Sequence, residues 1–223
     1  MSLRYSFPPD EYVNPRERMV REQIERRGLS DPRVLEAMRA VPRHLFLLRS
    51  ERASAYDDTP LPIGCHQTIS QPYIVAYMTE ALKLQGGENV LEIGTGSGYQ
   101  AAILACLARA VYSIERIPEL AERARENLRA LNIVNAEVIV GDGTAGLPEQ
   151  APFDAILVTA ATPVVPDPLL EQLAPSGRLI APVGGRGVQE LELCTRNPAG
   201  INRRRLISVV FVPLIGKHGW ERE

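Results

Sequence analysis

The 223-residue chain has little of what builds specialised sites: three cysteines, three histidines, one tryptophan and 5% aromatic residues. Three widely spaced cysteines argue against a disulfide framework or a zinc site. No apolar run approaches the roughly 18 residues that a membrane-spanning helix needs, and residues 1–10 lack the charged-then-apolar layout of a secretory signal. We therefore expect no metal, no membrane partner and a cytoplasmic location.

An excess of charge of one sign is also missing, because 25 lysines and arginines stand against 27 acidic residues. This balance gives no electrostatic reason to expect nucleic acid as a partner. The run Arg203-Arg204-Arg205 could form a phosphate patch, although three arginines beside a turn are more often a solvated surface. With 45% hydrophobic residues, the chain is expected to fold as one domain and to act as a monomer.

This single domain, residues 1–223, divides into four parts by composition and pattern. They are an N-terminal arm without its own fold (1–13), a helical region (14–85), an α/β core (86–183) and a C-terminal part of edge strands and tail (184–223). In the helical region, Asn14 is placed to cap a helix that Gly28 ends. Residues 53–64 are rich in proline, aspartate and glycine and are expected to form an extended loop.

From Asn89 onward, short apolar segments alternate with amphipathic ones, which predicts a mainly parallel sheet with helices on both faces. The expected strands are Asn89–Ile93, Ala110–Ile114, Ala136–Val140, Ala155–Val158 and Arg178–Pro182. The expected helices are Tyr99–Leu107, Pro118–Leu131 and Asp167–Leu173, preceded by one at about Tyr73–Leu84. No helix separates the later segments Glu190–Thr195 and Leu206–Pro213, so these are expected to add antiparallel strands at one edge.

The most informative motif is Gly94-Thr95-Gly96-Ser97-Gly98, which joins a buried strand to a helix. Glycines there let the backbone adopt positive φ and let a ligand approach without a Cβ in the way. Glu115 ends the next strand, about twenty residues on, which suits a carboxylate that binds both ribose hydroxyls of an adenosine. Asp142, followed by Gly143 in the turn after the third strand, could accept a hydrogen bond from an adenine amino group.

Two cofactor classes share this geometry, and Glu92 helps to separate them. A dinucleotide fingerprint, G-x-G-x-x-G, would require glycine where the chain has Tyr99. Glu92 lies in the strand before the loop and would bring negative charge toward the ligand. Such a charge opposes a pyrophosphate but suits a cofactor with an ammonium and a sulfonium group. Together with Glu115 and Asp142, it favours S-adenosylmethionine over a nicotinamide dinucleotide.

Several stretches of the sequence resemble the protein-L-isoaspartate (D-aspartate) O-methyltransferase family. They are residues 55–64, Gln67-Thr68-Ile69-Ser70-Gln71-Pro72, residues 90–102, 153–161 and 173–179, and Phe211-Val212-Pro213-Leu214. The glycine loop marks only the broad methyltransferase class, whereas Gln67-Thr68-Ile69-Ser70 is far more specific to this family. The resemblance implies a Rossmann-like class I methyltransferase fold in which residues 14–85 form the acceptor side.

The same resemblance implies the reaction and its main residues. S-Adenosylmethionine would donate a methyl group to the free carboxylate of L-isoaspartyl or D-aspartyl residues in damaged peptides and proteins, leaving S-adenosyl-L-homocysteine. The ester then cyclises to a succinimide, part of which reopens as normal aspartate. Ser70 is implied as the active-site serine, in a segment, Gln67–Ser70, that lies over both cofactor and acceptor.

The implied reaction needs few catalytic side chains. A carboxylate with a pKa of about 4 is already ionised at neutral pH, so the reaction needs no general base. A tight arginine clamp on the attacking oxygen would favour the reactant over a transition state in which charges are partly annihilated. Neutral donors such as Ser70 and Thr68 can orient that oxygen. A plainer role for Ser70 is to cap the helix that follows. Cys65 and His66, neighbours in an extended segment, would point to opposite sides and are not expected to act as a pair.

Three other functions stay open as alternatives. Methyltransferases of base amino groups usually carry an Asn/Asp-Pro-Pro-aromatic turn where this chain has Val158-Thr159-Ala160-Ala161. A nicotinamide oxidoreductase is disfavoured by Tyr99 and Glu92. A non-enzymatic module that keeps the fold to bind peptides is disfavoured by the intact acids around the loop.

Overall fold

Six α-helices and nine strands account for most of the regular structure in residues 3–221, the part of the chain that the computed structural model describes. The helices are α1 (Val13–Met19), α2 (Pro32–Ala40), α3 (Pro72–Leu82), α4 (Tyr99–Leu107), α5 (Pro118–Ala130) and α6 (Asp167–Glu171). The strands are β1 (Leu61–Gly64), β2 (Gln67–Ile69), β3 (Asn89–Ile93), β4 (Ala110–Glu115), β5 (Ala136–Val140), β6 (Phe153–Val158), β7 (Leu173–Gly184), β8 (Gln189–Asn197) and β9 (Gly200–Val209). The strands and helices predicted from Asn89 to residue 171 lie where they were expected.

Seven strands form the main sheet, in the order β5-β4-β3-β6-β7-β8-β9. The first five are mutually parallel, and β8 and β9 continue the sheet as antiparallel strands. The α/β class and the antiparallel edge are therefore confirmed. The chain moves from β3 outward to β5 and then returns to the other side of β3 with β6. In open α/β sheets a ligand crevice lies at such a switch point, beyond the carboxyl ends of the strands.

The sheet is buried on both faces, as its continuous apolar strands predict. Val90 and Val111 belong to the larger buried cluster, which also holds the apolar sides of α1 to α5. Leu91 and Ile93 point to the other face and pack with Leu169 of α6. Successive residues of a strand point to opposite faces, so Glu92 lies on the side of α4 and α5.

The predicted extended loop over residues 53–64 is wrong in its second half. Residues 61–64 form β1, which pairs with β2 as a hairpin. Cys65 and His66 form its two-residue turn with φ values of 51° and 57°, the left-handed backbone of the hairpin turns that match strand twist. Turns of this type favour glycine and asparagine, so a Cys-His pair gave no signal. The interpretation of Cys65-His66 as an extended segment is corrected as well.

Three other boundaries differ from prediction. The strand expected at Arg178–Pro182 spans Leu173–Gly184, so Leu173, expected to end the preceding helix, begins a strand. The first helix starts at Val13 without a capping bond from Asn14; the Asp10 carboxylate instead accepts from the Tyr12 amide at 2.7 Å. The helix continues through a π-helical and a 3₁₀ turn and ends at Gly28, with φ of 95°, as predicted. The last strand was expected at Leu206–Pro213 but spans Gly200–Val209, because cross-strand pairing holds its arginine-rich half in the sheet.

The N-terminal arm packs against the core where the structure describes it, and Met1 and Ser2 of that predicted arm lie outside the described residues. The Tyr5 hydroxyl donates to the Asn135 side chain at 2.6 Å and accepts from the Val134 amide at 3.1 Å. In the described part of the chain, no helix is long and apolar enough to cross a membrane.

Candidate active site

The glycine loop leaves the carboxyl end of β3 and turns sharply into α4. Gly94, Gly96 and Gly98 have φ values of 93°, 56° and 89°, a region that other residues rarely adopt. The Gly94 amide donates to the Ile114 carbonyl at 2.8 Å. A Cβ on Gly94 would lie 2.3 Å from the Thr159 hydroxyl, so the loop is also held closely against the end of β6.

Glu115, at the end of β4, organises this loop with both carboxylate oxygens. It accepts from the Gly96 amide at 2.9 Å and from the Ile117 amide at 2.9 Å. A carboxylate has roughly four acceptor positions, so about two remain for a ligand. Glu115 is buried but lines the cleft above the loop. This position suits the predicted role with a ribose diol.

Glu92 occupies a different environment from the one its charge suggested. It is fully buried and does not line the cleft. Ser113 donates to one of its oxygens, while the other oxygen has no hydrogen-bond partner among residues 3–221. Burial, only partly offset by the Ser113 hydrogen bond and reinforced by nearby Glu115, raises the pKa of Glu92 to about 8. The carboxyl is therefore largely neutral at pH 7 in this structure, beneath the loop. The Thr95 hydroxyl lies 2.6 Å from that of Ser113, so Glu92 reaches the loop through two hydroxyls.

Asp142 holds the C-terminal segment, residues 212–220. Its carboxylate accepts from the Thr144 amide at 2.9 Å, from the Thr144 hydroxyl at 2.7 Å and from the Lys217 amide at 2.8 Å. Thr144 in turn accepts from the His218 amide at 3.1 Å. Burial acts to raise the pKa of Asp142, but these donors outweigh it, so the pKa is lowered. Residues 212–215 of the same segment form one wall of the cleft.

The cleft lies at the carboxyl ends of β3 and β4 and has an empty volume, including its open mouth, of about 1040 Å³. Most of the predicted site residues line it: Gln67, Thr68, Ile69, Ser70, Gly94, Thr95, Gly96, Ser97, Glu115 and Gly143. Three predicted residues, Glu92, Gly98 and Asp142, do not. Glu92 lies under the loop, Gly98 starts α4, and Asp142 faces the C-terminal segment.

Ser70 stands between this cleft and a second cavity, which we call the acceptor groove. The groove is lined by residues 207–212, Pro60, Thr68, Ser70, Gln71, Tyr73, Ile74, Thr159 and Arg27. Ser70, Thr68, Thr159 and Val212 line both cavities. The plainer role of Ser70 as a helix cap is wrong, because α3 has no such cap from Ser70 and the Tyr73 amide donates to Asp58 at 3.1 Å instead.

Arg27 is the only charged side chain that lines the described acceptor groove. Its guanidinium donates to Asp58 at 2.6 Å and lies 3.3 Å from the centre of the Tyr73 ring. Asp58 also accepts from the Gln71 side chain at 3.1 Å. The network ties residues far apart in sequence to the start of α3, beside Ser70.

Sequence reasoning missed several residues that line the cleft. Tyr99 and Gln100 begin α4, Arg116 follows Glu115, and Thr159 follows β6. Thr159 carried a signal, since it directly follows a predicted strand at the same sheet edge as Glu115. Leu214 belonged to a stretch that resembles the family, but nothing in the local pattern of Leu214 or Ile215 placed them at the loop, because only the fold brings the C-terminal segment there.

Comparison with known proteins decides what this geometry belongs to. The family model described as Protein-L-isoaspartate(D-aspartate) O-methyltransferase (PCMT) matches residues 14–219. The chain belongs to this family. Its relatives include protein-L-isoaspartate O-methyltransferase 1 of Syntrophobacter fumaroxidans, 60% identical over 94% of this chain and 98% of that protein. The protein-L-isoaspartate O-methyltransferase of Methanospirillum hungatei JF-1 is 58% identical over 95% of this chain and 98% of that protein.

Solved structures of similar proteins show the same fold. A protein-L-isoaspartate O-methyltransferase matches with a TM-score of 0.83 and 30% identity over 92% of this chain and 67% of that chain. A Plasmodium falciparum protein, described as a protein-L-isoaspartate O-methyltransferase in complex with S-adenosyl-L-homocysteine, matches with a TM-score of 0.79 and 28% identity. That match covers 91% of this chain and 99% of the other. The Rossmann-like methyltransferase fold is therefore confirmed.

Proposed function

We propose that this member of the protein-L-isoaspartate O-methyltransferase family transfers a methyl group from S-adenosylmethionine to the free carboxylate of L-isoaspartyl and D-aspartyl residues in damaged proteins. The methyl ester so formed is set up to cyclise to a succinimide, which begins repair. One observation carries the proposal in this chain: Ser70 lines both the cleft over the glycine loop and the acceptor groove. A donor in one cavity and an acceptor in the other would meet at this serine.

The residues of the cleft suit the proposed cofactor. The glycine loop exposes bare backbone, and Glu115 keeps about two free acceptor positions for a ribose diol. We assign Gly94, Thr95, Gly96, Ser97, Gly98, Glu92, Glu115, Asp142 and Gly143 to the cofactor side, with Glu92, Gly98 and Asp142 acting through neighbours. When bound, S-adenosylmethionine supplies a methyl group activated by its sulfonium charge and leaves as S-adenosyl-L-homocysteine.

Gln67, Thr68, Ile69 and Ser70 line the cofactor cleft and are assigned to cofactor binding as well, while Ser70, which also lines the acceptor groove, is the catalytic residue. Within residues 3–221 the Ser70 hydroxyl makes no hydrogen bond to the protein, so it is free to donate to an acceptor oxygen. A neutral donor orients the attacking oxygen without the strong reactant stabilisation that a cation would give. Correct alignment of two reactants can contribute on the order of 7–11 kcal/mol, and this is the main catalytic effect that such a site can supply.

The proposed reaction needs no base, and the site is built accordingly. No histidine lines the cleft or the acceptor groove in the described chain. His44 is buried beside the Tyr56 hydroxyl at 2.8 Å, and His66 lies in the hairpin turn. The acceptor carboxylate arrives ionised at neutral pH. Its oxygen forms the new bond to the methyl carbon while the carbon–sulfur bond breaks, with the electron pair going to sulfur.

A matched pair of peptides tests the proposal. Labelled S-adenosylmethionine is offered to the protein with an isoaspartyl peptide and with its normal aspartyl twin, which has the same composition and charge. We expect base-labile label on the isoaspartyl peptide alone. Equal labelling of both peptides, or labelling of neither while S-adenosyl-L-homocysteine binds, would overturn the assigned substrate. Addition of duplex DNA as a third acceptor tests the alternative methyltransferase class.

The whole chain is proposed to act as one methyltransferase domain, residues 1–223, with the four parts given above. Support comes from the large buried cluster, which runs from Met19 through the α/β core to Val209 of the edge strand. A monomeric state and a cytoplasmic location stay predictions.

A further inference from the structure

We propose that the outer end of the acceptor groove binds an apolar side chain that flanks the isoaspartyl residue, so that the enzyme prefers damaged sites next to aliphatic residues. The inference rests on the proposed function and adds a substrate preference to it. It is carried by two exposed valines, Val188 and Val210, and by their position at the end of the groove that begins at Ser70.

The groove is continuous from Ser70 to this outer end. A third cavity is lined by Pro60, Thr68, Gln71, Val188 and residues 208–212, and all of these except Val188 also line the acceptor groove. The two cavities are therefore parts of one trough. A peptide whose carboxylate reaches Ser70 has its neighbouring residues along this trough.

The outer end presents apolar surface and, among the residues that the structure describes, no charged side chain. Val210 is 75% exposed and Val188 is 66% exposed, and Pro60 lies beside them in the lining. The polar lining side chains there are the neutral Thr68, Gln71 and Ser208. Single exposed aliphatic residues are normal on protein surfaces, but here two of them share one cavity, which singles out this place.

The sheet register brings the two valines together. Gln189 pairs with Val209 at the end of the β8–β9 ladder, so continuation by one residue sets Val188 opposite Val210. Residues directly opposite in an antiparallel pair point to the same face and contact each other. The side chain of Gln189 fixes the following residue, since it accepts from the Phe211 amide at 2.9 Å. The ladder and this hydrogen bond therefore fix the backbone next to both valines.

An acceptor side chain fits this pair better than a second copy of the chain does. A stable protein–protein interface buries on the order of 800 Å² from each partner, far more than two valines and a proline supply. One aliphatic side chain, by contrast, matches their size. Its burial is uniform between bound substrate and transition state, so the effect is expected in KM and not in kcat.

The test uses isoaspartyl peptides that carry glycine on both sides, with leucine introduced at one flanking position at a time. For the wild type, we expect leucine at one position to raise kcat/KM about 10-fold over glycine, the scale of a well-filled apolar contact. In the double variant Val188→Ser, Val210→Ser this ratio should fall close to unity. Calorimetry with S-adenosyl-L-homocysteine should give the same Kd for both proteins.

A matched control comes from the opposite edge of the sheet. Val134 is 88% exposed and precedes β5, so Val134→Ser removes an exposed valine without touching the groove. This variant should keep the leucine preference and the basal activity. A wild type without leucine preference at any position, or a preference that survives in the double variant, would overturn the inference. The inference would also be overturned if sedimentation showed that the wild type and Val134→Ser form a dimer, that the double variant does not, and that the leucine preference is the same in all three.

Methylation of the isoaspartyl peptide flanked by glycines distinguishes a failure of the substrate preference from a failure of the proposed function. If that peptide is methylated and leucine makes no difference, the substrate preference fails and the proposed function stands. If no isoaspartyl peptide is methylated, the proposed function itself fails.

Discussion

The cofactor cleft and the acceptor groove meet at Ser70, but they are built in opposite ways. The core of the cleft comes from one stretch of chain, from Gly94 to Gly143, whose polar groups sit at successive strand ends. The groove combines Arg27, the hairpin β1–β2, the start of α3 and residues 207–212. Local geometry therefore governs the cofactor side, whereas distant contacts govern the acceptor side.

This difference separates what substitutions should do. Changes in the cleft should act on cofactor affinity and on the backbone of the loop. Changes in the groove should act on transfer rate and peptide preference while cofactor affinity survives. Four variants test this separation, in order of decreasing expected effect.

The largest effect is expected for Gly94→Ala. The residue has φ of 93°, and the new Cβ would lie 2.3 Å from the Thr159 hydroxyl, which is itself 2.6 Å from the Gly94 carbonyl oxygen. We expect the free energy of unfolding to fall by about 4–5 kcal/mol, at the upper end for single substitutions. Binding of S-adenosyl-L-homocysteine should no longer be detectable. Thermal unfolding and calorimetry measure both quantities. Gly87→Ala is the control and should change neither quantity, because a Cβ there meets nothing within 4 Å. Normal S-adenosyl-L-homocysteine binding by Gly94→Ala would show that the cofactor cleft does not depend on the backbone of the loop.

Next comes the pH dependence of stability caused by Glu92. Its pKa is about 8 in the folded protein against 4.5 as the reference value, so folding takes up a proton between these pH values. Stability should therefore fall as pH rises from 4.5 to above 8, by up to about 5 kcal/mol at 1.36 kcal/mol per pKa unit. Glu92→Gln cannot ionise and should be more stable than wild type at pH 8 but not at pH 4.

Urea unfolding of the ligand-free protein at a series of pH values measures this effect. Glu126→Gln, on the exposed face of α5, serves as the control and should follow the wild-type profile. Identical profiles for wild type and Glu92→Gln would show that Glu92 ionises normally in the folded protein. Its proposed position beneath the loop would then need revision.

On the acceptor side, Ser70→Ala should slow methyl transfer on the order of 100-fold, the usual effect of removing one oriented donor. The Kd for S-adenosyl-L-homocysteine and the melting temperature should change little, because Ser70 makes no hydrogen bond within the described protein. Single-turnover rates and calorimetry on the same preparations decide the matter. Ser50→Ala, in an exposed segment, is the control, and a wild-type rate in Ser70→Ala would remove this serine from the mechanism.

The smallest effect is expected for Asp142→Asn. The backbone amides of Thr144 and Lys217 both donate to the carboxylate, and the substitution replaces one of its oxygens with an NH2 group that cannot accept. The wall formed by residues 212–215 should loosen, and the Kd for S-adenosyl-L-homocysteine should rise about 10-fold, the low end for hydrogen bonds to a charged group. Faster hydrogen exchange in residues 214–220 should accompany this. Thr144→Ser keeps the hydroxyl that bonds Asp142 and His218 and should retain tight binding. Unchanged exchange in Asp142→Asn would show that the segment is held by other contacts.

Much of the cofactor side could be predicted from the sequence because its signals are local. The strand, glycine loop and helix from Asn89 to Leu107 follow from apolar runs, positive-φ glycines and spacing, and Glu115 follows from its place at the next strand end. Glu92 shows where this reasoning stops. An acid near a loop suggests negative charge, but burial raises the pKa of Glu92 to about 8 despite the hydrogen bond from Ser113.

The acceptor side could be predicted much less. The family resemblance pointed to Ser70, but residues 53–64 carried no pattern typical of a hairpin, and the strand β9 was placed too late. The Arg27–Asp58 pair joins residues 31 positions apart, and Asp142 bonds Lys217 across 75 positions. Such pairs leave no trace in local spacing.

The sequence by itself determined the α/β class, the positions of the core strands and helices, and the glycine turn that a nucleoside cofactor can approach. It could do so because periodicity and backbone preference act over a few neighbouring residues. Only the tertiary structure decided that Ser70 stands between two cavities, that Asp142 holds the C-terminal wall, and that Val188 lies beside Val210. Each of these depends on packing of distant segments, which is set by the burial and hydrogen bonding of the whole chain.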